Sequence, residues 1–158
     1  SQTVEENVMF PLNMFTNMTL PEKKERVAFC LNRVNIVDAN KLYPAEISGG
    51  MKKRVAIARA IVLNPEFLFC DEPNSGLDPK TAVVIDHLIK EITEEYGITT
   101  IINTHDMNSV MGCGDKVIFI YNGKKWWEGT RFDVLDSDNP ELNDFVFASE
   151  LTRKIKGI

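Results

Sequence analysis

Two adjacent carboxylates, Asp71 and Glu72, close the apolar run Phe67-Leu68-Phe69-Cys70 and are followed by Pro73. A hard cation such as Mg²⁺ takes carboxylate oxygens, often through water. Phosphoryl transfer to water also needs a group that orients or deprotonates that water. An adjacent pair can divide these tasks, although Asp-Glu-Pro also suits a plain polar turn after a strand. Ser48-Gly49-Gly50 offers a second chemistry. Two glycines let the backbone approach a ligand closely, and a helix N-terminus presents N–H groups to an anion. Ser48 serves equally well as a helix cap. His105 can donate a hydrogen bond to a phosphate oxygen, or be structural. Ser75-Gly76-Leu77-Asp78 reads by itself as a loop ending in an N-cap.

The elements around these residues follow from periodicity and punctuation. Thr3 before Glu5 and Glu6 suits a helix start, and Val8-Met9-Phe10-Pro11-Leu12 is apolar but interrupted by proline. Pro21 opens a second pattern in which Val27, Leu31 and Val34 share one face, predicting an amphipathic helix over 21–34. Met51, Val55, Ala58 and Val62, widened by Ile57 and Ile61, predict a helix over 50–63 that stops at Asn64-Pro65. Residues 67–70 read as a strand covered on both faces, and 98–103 as another buried strand. Between them, Asp78-Pro79 opens a helix that runs to Tyr96 and ends at Gly97. Asn122-Gly123 between 117–121 and 124–127 is a hairpin signal. Residues 131–156 read as helical with a break at Asn139-Pro140. Strands alternating with helices imply an α/β fold with a mostly parallel sheet. Three segments are expected: 1–64 helical, 65–130 α/β core, and 131–158 C-terminal helical.

The bulk properties exclude several classes. The 158 residues suffice for about one domain, and 44% hydrophobic with 26% charged residues is ordinary globular composition. A net charge of −5 argues against a nucleic-acid-binding surface. Cys30, Cys70 and Cys113 match neither a disulfide framework nor a zinc site. No apolar run approaches the roughly 18 residues that cross a bilayer. The N-terminus has no signal-peptide pattern and no Met, as if cut from something longer.

Taken in order, Ile47-Ser48-Gly49-Gly50-Met51, the strand ending in Asp71-Glu72-Pro73, Ser75-Gly76-Leu77-Asp78 and Thr104-His105-Asp106 resemble the ABC ATPase family. They look like its signature sequence, Walker B strand, D-loop and switch histidine, and Ala58-Arg59-Ala60 fits as well. The resemblance runs from about residue 3 to about residue 130. It implies a P-loop NTPase-like core with a helical signature subdomain, and ATP hydrolysis at a dimer interface. Asp71 would hold Mg²⁺ through water and Glu72 would act on the attacking water. His105 would sense the γ-phosphate. Ser48, Gly49 and Gly50 would contact the γ-phosphate of ATP held mainly by a second subunit, and Asp78 would bridge the two halves.

Two features depart from the family pattern. The signature's usual final glutamine is Met51, followed by Lys52-Lys53-Arg54. That run resembles lipid-trafficking and solvent-resistance ATPases of the Mla type, which work with MCE proteins, but equally suits a solvated helix turn. The phosphate-cradling sequence G-x-x-x-x-G-K-[ST] does not occur, Gly123-Lys124 lying inside the hairpin, and the Q-loop glutamine is missing. The 158 residues alone are therefore expected to be inactive, with strand edges and apolar surface exposed for self-association or local rearrangement.

The resemblance implies a peripheral subunit on the inner face of the cell membrane, paired with a second ATPase subunit and with permease subunits that meet the helical region 4–45. An ABC-family ATPase of translation or DNA repair is the alternative, disfavoured by contiguous motifs and acidic charge. A non-catalytic interaction protein is a third reading, against which Asp71, Glu72 and His105 all stand intact.

Overall fold

The computed structural model describes residues 2–148. The chain divides into two compact units, Ser1–Asn103 and Thr104–Ile158.

Four helices and two strands build the first unit. Helix α1 (Val4–Phe15) starts at Thr3, whose hydroxyl accepts the Glu6 N–H while the Glu6 carboxylate accepts the Thr3 N–H at 2.8 Å. The helix continues through Pro11 rather than breaking there. Its core face, Val4, Val8, Met9 and Leu12, is buried and offsets the hydrogen bond that proline removes. Core packing thus accounts for most of the apolar stretch Val8 to Leu12, whereas Phe10 is exposed with Arg59 over its ring. Helix α2 (Leu20–Arg33) buries Val27, Cys30 and Leu31. A short 3-10 turn, Pro44–Glu46, leads to α3 (Gly49–Ile61).

Arg26 closes the far end of α3. Its Nε donates to the Val62 carbonyl at 2.9 Å and an Nη to the Ile61 carbonyl at 3.0 Å, satisfying groups that a helix end leaves unbonded. Strand β1 (Phe67–Asp71) then pairs in parallel with β2 (Thr99–Asn103), through the crossover helix α4 (Pro79–Tyr96). Gly97 ends α4 at φ +61, a backbone region that glycine enters without cost.

One face of this strand pair meets the core and the other does not. Leu68, Cys70, Ile98 and Ile102 pack with Ile85, Ile89 and Ile92 of α4 and with α3. Each fully buried aliphatic side chain there contributes about 1.5–3 kcal/mol. The opposite face carries Phe67, Phe69 and Ile101, which are 56%, 71% and 52% exposed. Both strands were expected to be covered on both faces; among the described residues only one face is covered. Apolar runs of four or five residues do not reveal this, because their composition is the same on both faces.

In the second unit, helix α5 (Met107–Cys113) follows Asp106, whose side chain accepts the Asn108 N–H at 2.9 Å. This helix was not anticipated from the sequence. Strands β3 (Lys116–Tyr121) and β4 (Lys124–Thr130) form an antiparallel hairpin. Asn122 and Gly123 both have positive φ, at 49° and 71°, as a two-residue turn of this hand requires. Val117, Phe119 and Trp127 pack on Val134, Leu142 and Val146 from α6 (Asp133–Asp136) and α7 (Pro140–Val146). Trp126 lies at the β-bulge opposite Phe119 and Ile120; it is exposed, its ring meets Tyr121 edge-on, and its indole N–H donates to Glu141 of α7 at 3.0 Å. The expected break at Asn139-Pro140 is the start of α7, capped by Asn139. The part of the 131–156 expectation beyond residue 148 lies outside the described residues.

Candidate nucleotide site

The acidic edge is built by the parallel pair. β1 delivers Asp71 to the carboxyl end of the strands, the edge at which open α/β sheets bind ligands. There Asn103, the last residue of β2, donates from Nδ2 to Asp71 Oδ1 at 2.7 Å. Glu72 follows at φ +45, in the left-handed region that non-glycine residues rarely enter. The peptide groups on both sides of it are held. The Glu72 N–H donates to the Asn103 carbonyl at 2.9 Å, and its own carbonyl accepts the Ser75 N–H at 3.1 Å. The Lys53 ammonium reaches the same carbonyl at 3.1 Å.

The glycine pair sits at the opening of α3. Ser48 is the N-cap, and its hydroxyl accepts the Met51 N–H at 3.2 Å. The capping reading is therefore realised, and it leaves the first-turn N–H groups of Gly49 and Gly50 outside the helical ladder. Gly50 is a packing requirement as well. A Cβ added there would lie 2.7 Å from Thr81 Cγ2 on α4, and one at Gly49 would lie 3.5 Å from Leu77 Cδ2. The start of α3 thus abuts the turn that precedes α4.

That turn is tied down at each step. Gly76 takes φ +78, and the Leu77 N–H donates to the Asn74 carbonyl at 3.1 Å. Asp78 caps α4, accepting the Thr81 N–H at 3.0 Å and the Thr81 hydroxyl on its other oxygen. These bonds, the hydroxyl's first, hold the Asp78 carboxyl below its ordinary range. Behind the turn, the buried Asn74 donates from Nδ2 to buried Asp86 of α4 at 2.7 Å.

The first unit therefore brings together Ser48, Gly49, Gly50, Asp71, Glu72 and Asp78. His105 belongs to the second unit, two residues beyond β2, and is exposed. Asn74, Thr81, Asp86 and Asn103 support the site without having been singled out, and Lys53, noted only as part of a basic run, supports it too. Asn103 and Asn74 had a readable signal, being polar residues beside a motif; Thr81 and Asp86 lay inside a helix pattern and had none.

The donor set suits a magnesium ion of the kind that keeps its waters. Among the described residues no group of three His, Cys, Asp or Glu side chains gathers as a metal cage. Asp71 and Glu72 instead offer one or two carboxylates at an exposed edge, the arrangement Mg²⁺ uses when phosphates and water complete its shell.

The chain resembles known proteins in sequence and in fold. The family model described as ABC transporter matches residues 1–75. The methionine import ATP-binding protein MetN 1 of Oceanobacillus iheyensis is 42% identical over 147 residues, covering 92% of this chain and 43% of that protein. MetN of Carboxydothermus hydrogenoformans is 43% identical over the same length, with the same shares covered. Among solved structures, the dimeric ATP-binding cassette MJ0796 bound to ADP and Pi superposes with TM-score 0.72 at 33% identity, covering 82% of this chain and 57% of that one. The chain has the ABC ATPase fold, and its sequence is similar to those of ABC transporter ATP-binding proteins. The chain spans less than half the length of these curated relatives, which are named for methionine import.

Proposed function

We propose that these residues belong to the ATP-hydrolysing subunit of a membrane transporter, working as a dimer with ATP held between two copies. The observation that carries this reading is the packing of Gly49 and Gly50 against Leu77 and Thr81 in the unit whose β1 ends in Asp71, with Glu72 next in the chain. Signature, D-loop and acidic edge thus form one supported block.

In this mechanism the α3 N-terminus of one copy presents Ser48, Gly49 and Gly50 to the γ-phosphate of ATP bound mainly by the other. Asp71 would hold Mg²⁺, which would supply charge neutralisation at the phosphates. Glu72 orients or deprotonates the attacking water. His105 donates to the γ-phosphate, and Asp78 meets the other copy across the interface. Residues 4–45 face the permease subunits, and the subunit lies peripherally on the inner membrane face; no helix among the described residues is long and apolar enough to cross a bilayer.

The relatives support methionine, or a solute of that class, as the cargo. The lipid-trafficking reading, with an MCE-type partner, rests on Met51-Lys52-Lys53-Arg54 alone, and no relative described above supports it. Nor does any of them support a role in translation or DNA repair. The phosphate-cradling sequence does not occur in these 158 residues, so by themselves they are expected to turn over no ATP, and the test is made on the whole protein. There, Glu72→Gln lowers ATP turnover by about 100-fold or more while ATP binding persists. A substantial rate retained by that variant contradicts the assignment of Glu72.

A further inference from the structure

Lys52, Lys53 and Arg54 read in sequence as one solvated helix turn, but the structure separates them. Lys52 is exposed, Arg54 donates to the Asn35 carbonyl at 3.1 Å, and Lys53 is half-buried with its ammonium 3.1 Å from the Glu72 carbonyl oxygen. Glu72 occupies a backbone region that a glutamate keeps only where its surroundings over-determine it. The bond from β2 fixes the N–H side of this residue, and Ser75 and Lys53 fix the carbonyl side. With both flanking peptide groups held, the φ and ψ of Glu72, and so the direction of its Cα–Cβ bond, are fixed. A charged donor makes a stronger restraint than a neutral one.

We propose that Lys53 is a positioning residue for Glu72. Its ammonium sets the Glu72 peptide, and with it the direction of the carboxylate toward the attacking water. Because Lys53 lies four residues after Gly49 on the same helix, the contact also ties Glu72 to the element that meets a neighbouring copy's nucleotide. Engagement of Ser48-Gly49-Gly50 at one nucleotide is then felt at Glu72, which serves the other. This rests on the reading of Glu72 as the group that acts on water.

The test is steady-state ATP hydrolysis by the whole protein carrying Lys53→Met, Lys53→Gln or Lys53→Arg, beside hydrogen exchange at the Glu72 amide. Misplacing the carboxylate predicts a fall in kcat of about tenfold for Met and Gln, with KM for ATP unchanged. The Arg variant, which keeps a charged donor, recovers most of kcat. The Glu72 amide exchanges faster in the Met variant at unchanged global stability. An active wild type with kcat unaltered by Lys53→Met, a change in KM alone, or an unaltered Glu72 amide overturns the proposal for Lys53. A whole protein without turnover removes the Glu72 reading and this inference with it.

Discussion

Asn103 donates from Nδ2 to Asp71 Oδ1 at 2.7 Å, joining the last residues of the two parallel strands. The same residue accepts the Glu72 N–H on its carbonyl oxygen, so one asparagine steadies both carboxylate-bearing residues. Asn103→Ala removes the first bond and keeps the second. It should raise the Mg²⁺ concentration that half-saturates ATP turnover by about 10-fold or more, the usual effect of losing an outer partner of a metal-binding carboxylate. A magnesium titration of turnover in the whole protein measures this. An unchanged midpoint would separate Asp71 from the metal.

Gly50 meets Thr81 so closely that an added methyl has no room. Gly50→Ala should destabilise the first unit by about 1–3 kcal/mol, the usual range for overpacking. Thr81→Ser removes the obstructing methyl and keeps the hydroxyl that binds Asp78. The double variant should therefore recover most of the loss in urea denaturation. Additive losses would mean that the glycine is required for something other than this packing.

The Asn74–Asp86 hydrogen bond is buried and ends on a carboxylate. Asn74→Ala should cost about 1.5–3 kcal/mol in chemical denaturation, as for hydrogen bonds to charged groups. It should also loosen the Ser75–Asp78 turn, which hydrogen exchange at the Leu77 amide reads directly.

In the hairpin, hydrogen bonds from Lys116 and Lys125 hold the Glu128 carboxyl at a pKa of about 2, against an ordinary 4.5. A depressed carboxylate pKa stabilises the folded state above the ordinary value, and that stabilisation is lost as pH falls from 4.5 towards 2. An NMR titration of the Glu128 side-chain carbonyl should show this low midpoint. Replacing both lysines by methionine should move it back up towards the ordinary value.

Most of the scaffold was legible because local chemistry and tertiary packing agree in it. Asp78-Pro79 and Gly97 delimit α4, Asn122-Gly123 makes the hairpin turn, and the parallel pairing of β1 with β2 follows from the helix between them. The candidate residues were legible as motifs, through order and spacing. What supports them was not. Thr81 against Gly50, Lys53 on the Glu72 carbonyl and Asp86 behind Asn74 join positions 12 to 31 residues apart, and no local period encodes such contacts. The face carrying Phe67, Phe69 and Ile101 is open, in keeping with the expected exposure of apolar surface, although each strand alone reads as covered on both faces. Residue type there promises burial, while coverage depends on what lies above the sheet. Helix α5 was missed because it is only seven residues long, too short for the spacing of Met107, Val110 and Met111 to stand out as a period.

The central claim is that Ser48-Gly49-Gly50 of one copy closes on a nucleotide held by another, and sedimentation of the whole protein tests it most directly. The Glu72→Gln variant should be monomeric without nucleotide and dimeric with ATP, and adding Ser48→Arg should return it to monomer with ATP still bound. A dimer that forms in ATP regardless of the arginine would contradict the account.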